Sequence, residues 1–188
     1  MTIQTSQFKI RGVSPLLMHN GQLNDPLNSI TKEIRKISSK RGKTDADQEE
    51  MARLEWHGGL YLHNGKPCIP GEVLEATIFN AAKKTKRGKQ AQATIWCSGN
   101  YPIEYDGPKT TDELWAANGD FRLTCRARIG PAGVMRTRPI FREWSALIEI
   151  RFDDTVLNPA EIREIVVTAG EVVGLMDWRP RFGRFVVV

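Results

Sequence analysis

Phe121-Arg122-Leu123-Thr124-Cys125-Arg126-Ala127-Arg128-Ile129 alternates with a period of two: its odd positions are Phe, Leu, Cys, Ala and Ile, its even ones Arg, Thr, Arg and Arg. Side chains of a strand alternate between faces, so the segment reads as a strand that buries its odd residues and projects Arg122, Arg126 and Arg128 together. Arg136, Arg138 and Arg142 keep the even parity in the segment that follows, which extends the expected arginine face. Guanidinium groups repel one another and gain little from water-exposed ion pairs. A one-sided row of them implies an anionic ligand opposite, and a phosphate backbone fits. Taken alone, the row is read equally well as a solvated strand face on a basic protein.

Upstream, residues 3–13 repeat the pattern, with Phe8, Ile10 and Gly12 on one face and Lys9 and Arg11 on the other. A loop rich in Pro, Asn and Gly spans 14–28, and a basic stretch follows with Lys32, Arg35, Lys36, Lys40, Arg41 and Lys43. Thr44-Asp45-Ala46-Asp47 resembles a capping box with Asp in place of Glu and predicts a polar helix to about Trp56. Apolar residues are few from about 29 to 57, so this region reads as an insertion that decorates the core. Residues 59–69 predict a hairpin turning at Asn64-Gly65, a pair that accepts positive φ. Pro70-Gly71 then opens a helix to about Lys83, with Leu74, Ile78, Ala81 and Ala82 on one stripe. Lys83, Lys84, Lys86, Arg87 and Lys89 put five cations into seven residues, a density that predicts a mobile basic loop in contact with phosphates.

Residues 91–97 and 101–105 read as short strands, 112–116 as one helical turn and 145–152 as a longer strand. Asn158-Pro159 supplies an N-cap and a first-turn proline to a helix whose buried stripe is Ile162, Ile165, Val166 and Ala169. Residues 184–188 form the last strand. Two amphipathic helices needing one sheet face, with cations on the other, define an α+β fold: a ferredoxin-like or RRM-type antiparallel sheet with both helices on one side and a basic helical insertion. With no internal repeat or low-complexity linker, the expectation is one domain over 1–188, with the insertion at about 29–57.

Composition is that of an ordinary globular protein, with 40% hydrophobic and 26% charged residues; the net charge of +5 is modest, but the basic residues cluster while the acids scatter. No stretch approaches the roughly 20 apolar residues that span a bilayer, and the first residues lack a signal peptide's charged and apolar regions. A cytoplasmic protein with no membrane partner is expected. Cys68, Cys97 and Cys125 sit in apolar contexts as small buried hydrophobes. His19, His57 and His63 share no ligand spacing with them, so neither a metal nor another cofactor is expected.

Three motifs occur in order: Phe8-Lys9-Ile10-Arg11-Gly12-Val13-Ser14-Pro15-Leu16-Leu17 leading into Asn24-Asp25-Pro26-Leu27, then Gly65-Lys66-Pro67-Cys68-Ile69-Pro70-Gly71, then Gly174-Leu175-Met176-Asp177-Trp178-Arg179-Pro180-Arg181-Phe182-Gly183-Arg184. Together they resemble the CRISPR-associated RAMP superfamily, particularly its crRNA-binding backbone subunits, and also look like stand-alone relatives carried by bacteriophages. Two features depart from the family pattern: Met176-Asp177-Trp178 replaces the small residues usual in the glycine-rich loop, and the insertion is long. The resemblance implies a modified RRM fold, binding to single-stranded RNA, head-to-tail assembly along the strand and association with CRISPR complex subunits.

The residues and the resemblance converge on a sequence-tolerant binder of single-stranded nucleic acid, RNA or DNA, that grips the phosphate backbone. The expected contacts are Lys9, Arg11, Lys36, Lys40, Arg41, Lys83, Lys84, Lys86, Arg87, Lys89, Arg122, Arg126, Arg128, Arg136, Arg138, Arg142, Arg179 and Arg181, with Trp178 against a base. Backbone subunits that cleave RNA use an acid in the loop after the first strand, which carries over to Asp25, with His19 in the same loop. That gives the alternative of a metal-independent endoribonuclease; the reading of Asp25-Pro26 as a plain turn is preferred. A further alternative is a phage-encoded mimic that interferes with assembly of a CRISPR complex.

Overall fold

Three helices begin in the same way. Thr44, Thr110 and Asn158 each accept the backbone N–H three residues on, and Asp47, Glu113 and Glu161 at that third position accept the cap's own N–H. Each reciprocal pair satisfies two donors that a helix start leaves orphaned.

The computed structural model describes residues 2–129 and 132–188. Its strands are β1 (Ile3–Gly12), β2 (Leu16–Leu17), β3 (Leu62–His63), β4 (Lys66–Pro70), β5 (Ile95–Trp96), β6 (Asn100–Glu104), β7 (Arg122–Ile129), β8 (Ala132–Phe141), β9 (Ser145–Asp153) and β10 (Phe185–Val187). Its helices are α1 (Ser29–Ser38), α2 (Asp45–Gly59), α3 (Gly71–Lys84), α4 (Gly88–Thr94), α5 (Thr111–Ala116) and α6 (Pro159–Thr168), the last running on into a wider turn over Ala169–Val173. The fold is α+β. Among the described residues no helix is long and apolar enough to cross a membrane.

The chain divides into two compact units. The first gathers Met1–Leu17, Leu62–Asp106 and Arg142–Val188; the second gathers Met18–Tyr61 and Gly107–Phe141. The stretch at about 29–57 that the sequence sets apart therefore shares its unit with 107–141, which no break in composition marks.

In the first unit an antiparallel sheet runs in the order β10-β1-β9-β6-β4-β3, and β5 pairs with β9 beyond β6. Register pairs Ile3 with Asp153 and Arg11 with Ser145. One face carries the core: Phe8, Ile10, Ile103, Ala146, Ile148, Ile150 and Phe152 are buried there. Leu74, Ile78, Ala81 and Ala82 of α3 and Ile162, Ile165 and Val166 of α6 are buried as their spacing predicts, and the two helices pack on each other. Gly71 opens α3 where backbone passes backbone, since a Cβ there would run into the carbonyl oxygen of Cys97. Asn64 and Gly65, with φ of 50° and 74°, turn β3 into β4 as expected.

In the second unit β7 and β8 form a hairpin, α2 packs along β8, and α1 packs on α2. Trp56 is fully buried there and donates its indole N–H to the Phe121 carbonyl at 2.8 Å. Helix α1 was expected only as a basic stretch. Its half-buried Ile30, Ile34 and Ile37 oppose exposed Lys32, Glu33, Arg35 and Lys36, and Asn28 caps it by accepting from the N–H groups of Ile30 and Thr31.

The basic cluster at 83–89 is not a loop. Helix α3 runs to Lys84, Lys86 turns the chain at a φ of 61°, and α4 starts at Gly88. Carboxylates offset the repulsion that predicted a loop: Arg87 reaches Glu161 at 3.2 Å and Glu164 at 3.1 Å on α6. The strand expected over 91–97 shrinks to Ile95 and Trp96, because Ala91 and Thr94 are buried as part of α4 instead.

Candidate nucleic-acid interface

The even-numbered arginines do not form one row. Directly paired residues of a hairpin share a face, and each β7–β8 pair couples an even with an odd number: Arg122 with Pro139, Arg126 with Met135, Leu123 with Arg138, Cys125 with Arg136. Arg122 and Arg126 thus lie on one face of the hairpin, Arg136 and Arg138 on the other. Arg142 lies beyond the end of β8, in the bend before β9, and the Arg128 side chain falls outside the described residues. Arg122 stacks on Trp115, its guanidinium carbon 4.0 Å from the ring centroid. Arg126 lies over Gly133, where a Cβ would collide with its guanidinium. Arg136 is bound to the buried Glu55 carboxylate, which also accepts the Thr137 backbone N–H at 3.2 Å.

The open face of the first unit's sheet gathers a different set. Lys9 pairs with Leu147, and Trp96 pairs with Arg151, so all four project on the side away from Phe8, Ile10 and Phe152. Leu147 is 55% exposed and Trp96 38%. Gln7 and Glu149 lie between them, the amide donating to the carboxylate at 3.2 Å. At the far end Arg11 shares a shallow depression with Glu104, Asp106 and Glu143, and Lys9 stands 3.9 Å from Glu104. Acids therefore balance the Arg11 end, while the Trp96–Arg151 end presents a ring beside a cation. From Ser145 to Arg151 the face extends roughly 20 Å, at about 3.3 Å per residue. Trp96 and Arg151 were absent from the sequence-derived contacts, although Arg151 obeys the same period-two alternation within residues 145–152.

The loop between Gly174 and Arg184 belongs to the same unit. Four left-handed residues shape it: Gly174, Met176, Trp178 and Gly183, with φ of 79°, 62°, 55° and 76°. Its neck closes by the Leu175 N–H donating to the Gly183 carbonyl at 2.9 Å, where a Cβ on Gly183 would overlap the Leu175 backbone. Asp177 donates to the Leu17 carbonyl at 3.1 Å and Gly183 to that of Pro15 at 2.8 Å, which pins the loop to the segment after β1. Met176 is buried, so its departure from a small residue fills the interior. Trp178 is 45% exposed, its ring 5.7 Å from Phe182, and the Arg181 guanidinium stands 5.7 Å and 5.9 Å from the two rings. Arg179 points back to the Thr77 hydroxyl of α3 at 3.4 Å.

The other expected contacts scatter. Lys83, Lys84, Lys86 and Lys89 are exposed along the α3–α4 turn of the first unit. In the second unit Lys36 pairs with Glu33 at 2.6 Å, Lys40 with Asp47 at 2.5 Å, and Arg41 is exposed in the link between α1 and α2. Asp25 is exposed and accepts the Leu27 N–H at 2.8 Å, an Asx turn in keeping with the plain-turn reading. His19 lines a recess of about 450 Å³ in the second unit together with Arg136, Arg138 and Arg35, the last not among the sequence-derived contacts.

Burial sets the thiol chemistry. Desolvation raises the Cys68 thiol to about 11 and pushes Cys97 further up, with Glu75 adding to it. The three cysteines are free thiols, and among the described residues no cluster of His, Cys, Asp and Glu could hold a metal ion.

No protein-family model and no curated protein matches the chain. Among solved structures it is similar over the full length of both chains to Cmr6 from Pyrococcus furiosus, at 12% identity and a TM-score of 0.43.

Proposed function

We propose that the chain binds single-stranded nucleic acid without sequence preference, on the open sheet face of its first unit and on the Gly174–Arg184 segment of the same unit. The observation that carries this reading is the exposed Trp96–Arg151 pair on the same sheet face as Leu147 and Lys9, opposite the face that buries Phe8, Ile10, Ile148, Ile150 and Phe152. A ring offers a stacking surface that every base can use, and the neighbouring cation neutralises a phosphate. Trp178 with Arg181 repeats that pairing on a pinned loop. The order β10-β1-β9-β6, with α3 before β6 and α6 before β10, is read as a ferredoxin-like, RRM-type core, a scaffold that uses its open sheet in this way. The motif order shared with RAMP proteins supports RNA as the ligand, head-to-tail assembly along it, and a cytoplasmic role beside CRISPR complex subunits.

The test is fluorescence anisotropy with labelled single-stranded RNA and DNA of about 20 nucleotides at low salt. Stacking of one base is worth about 1–3 kcal/mol, so Trp96→Ala is expected to weaken binding roughly 5- to 150-fold. Arg151→Ala is expected to act in the same direction. Absence of binding by the parent protein, or unchanged affinity in Trp96→Ala, overturns the assignment of this face.

A further inference from the structure

The turn between α3 and α4 is closed in a way that favours glycine, yet a lysine occupies it. Arg87 donates its backbone N–H to the Ala82 carbonyl at 2.8 Å and Lys86 donates to the Lys83 carbonyl at 3.3 Å, the paired bonds that end a helix when the residue past its cap turns left-handed. Lys86 makes that turn at a φ of 61°, a conformation that residues with a Cβ enter at a cost. A cation therefore stands where stability alone selects glycine. The ion pairs of Arg87 with Glu161 and Glu164 fasten the same turn to α6 and commit the one arginine of the cluster. Lys83, Lys84, Lys86 and Lys89 are exposed, and among the described residues no carboxylate pairs with any of them. The chain supplies no acid of its own nearby, since Asp and Glu are absent from Ala76 to Ile103. Four cations held on an ordered turn repel one another, and an anionic partner relieves them.

The helix that leads away from the lysines delivers Trp96. Helix α4 ends at Thr94 and β5 follows at once, so Lys89 and Trp96 lie at most about 15 Å apart along the chain. Gln90 and Gln92 are exposed between them and can donate to phosphate oxygens. Among the described residues β5 pairs only with β9, which puts Trp96 at a margin of the sheet, where α4 joins it. We infer that a bound strand leaves the sheet face at Trp96, passes along α4 and is held again through its phosphates by Lys83, Lys84, Lys86 and Lys89. This rests on the sheet-face reading and adds a second anchor to it, all within the first unit. Only a strand longer than the sheet face reaches that anchor. The consequence is selection by length: short fragments engage the sheet alone, and long strands gain both contacts.

Fluorescence anisotropy of the full chain with labelled oligouridine of about 6 and about 20 nucleotides tests it, the first near the low end and the second beyond the top of the about 4–16 nucleotides that one strand-binding module covers. The triple variant Lys84→Gln, Lys86→Gln, Lys89→Gln is expected to weaken the long strand at least tenfold, to flatten its salt slope by about 2 at about 0.7 per phosphate contact, and to leave the short one within about twofold of the parent. Lys86→Gly separates binding from folding: it is expected to melt no lower than the parent, because glycine suits that turn, and yet to weaken the long strand. Trp96→Ala is expected to weaken both lengths. Unchanged binding of the long strand by the triple variant, or an equal loss of the short one, overturns the second anchor and leaves the sheet face standing. Unchanged binding of both lengths by Trp96→Ala overturns the sheet face and the path from it, even where the lysine variants weaken the long strand. No binding by the parent removes both.

Discussion

His57 packs edge-on against Trp56 at 5.0 Å between ring centroids and lies 6.2 Å from Trp115, with Asp112 3.9 Å from its Nε2. Burial holds its pKa below the ordinary 6.5, the nearby Arg53 charge adds to this, and Asp112 and Glu50 oppose it. The neutral ring is therefore the folded form. Above about pH 6.5 both folded and unfolded chains carry it neutral and its contribution to stability is complete; as pH falls below that value the unfolded chain takes up a proton first, and stability declines through the lowered folded value. Thermal melting at constant ionic strength should show a fall in Tm between pH 7.5 and 5.5 that is smaller in His57→Phe. An equal fall in both proteins would remove His57 as its origin.

At the scale of elements, local signals were legible and distant ones were not. The Thr44 and Asn158 caps, the Asn64-Gly65 turn and the stripes of α3 and α6 are all written within a few residues, and each appears where its chemistry places it. The ordered turn at 83–89 depends on Glu161 and Glu164, more than 70 positions away, which no local count of charge reveals. Which face an arginine of β8 occupies depends on its pairing with β7, and parity along the chain carries no information about that register. Two changes test the local reading. Thr44→Ala should cost about 1 kcal/mol of stability through the lost cap. Gly71→Ala should cost roughly 1–3 kcal/mol, because the Cys97 carbonyl has nowhere to go without backbone movement. Urea unfolding measures both, and a neutral Gly71→Ala would mean that α3 can shift.

For the whole molecule, the net charge of +5 understates the field, because many cations are held by named acids and only some face outward beside rings. If Lys9, Arg151, Arg179 and Arg181 each neutralise one phosphate, the logarithm of the binding constant should fall with a slope of about −3 against the logarithm of salt concentration, at about 0.7 per contact for a single strand. A titration from 50 to 300 mM salt measures it; a slope near zero would exclude phosphate contacts as the source of affinity. The candidate face was half legible: Lys9 and the glycine-rich loop stand in plain motifs, whereas Trp96 joins Arg151 only because β5 meets β9 across more than 50 residues of sequence.

The pairing of β1 with β9 joins positions 134 to 150 residues apart, from Arg11–Ser145 to Ile3–Asp153. During synthesis the first strand emerges early and must wait for most of the chain before its neighbour exists, while Met18–Tyr61 and Gly107–Phe141 are both already made. The ribosome therefore delivers the second unit complete before the first can close. For that interval Phe8 and Ile10 have no partner strand, and the nascent protein passes through a stage at which chaperone capture competes with folding.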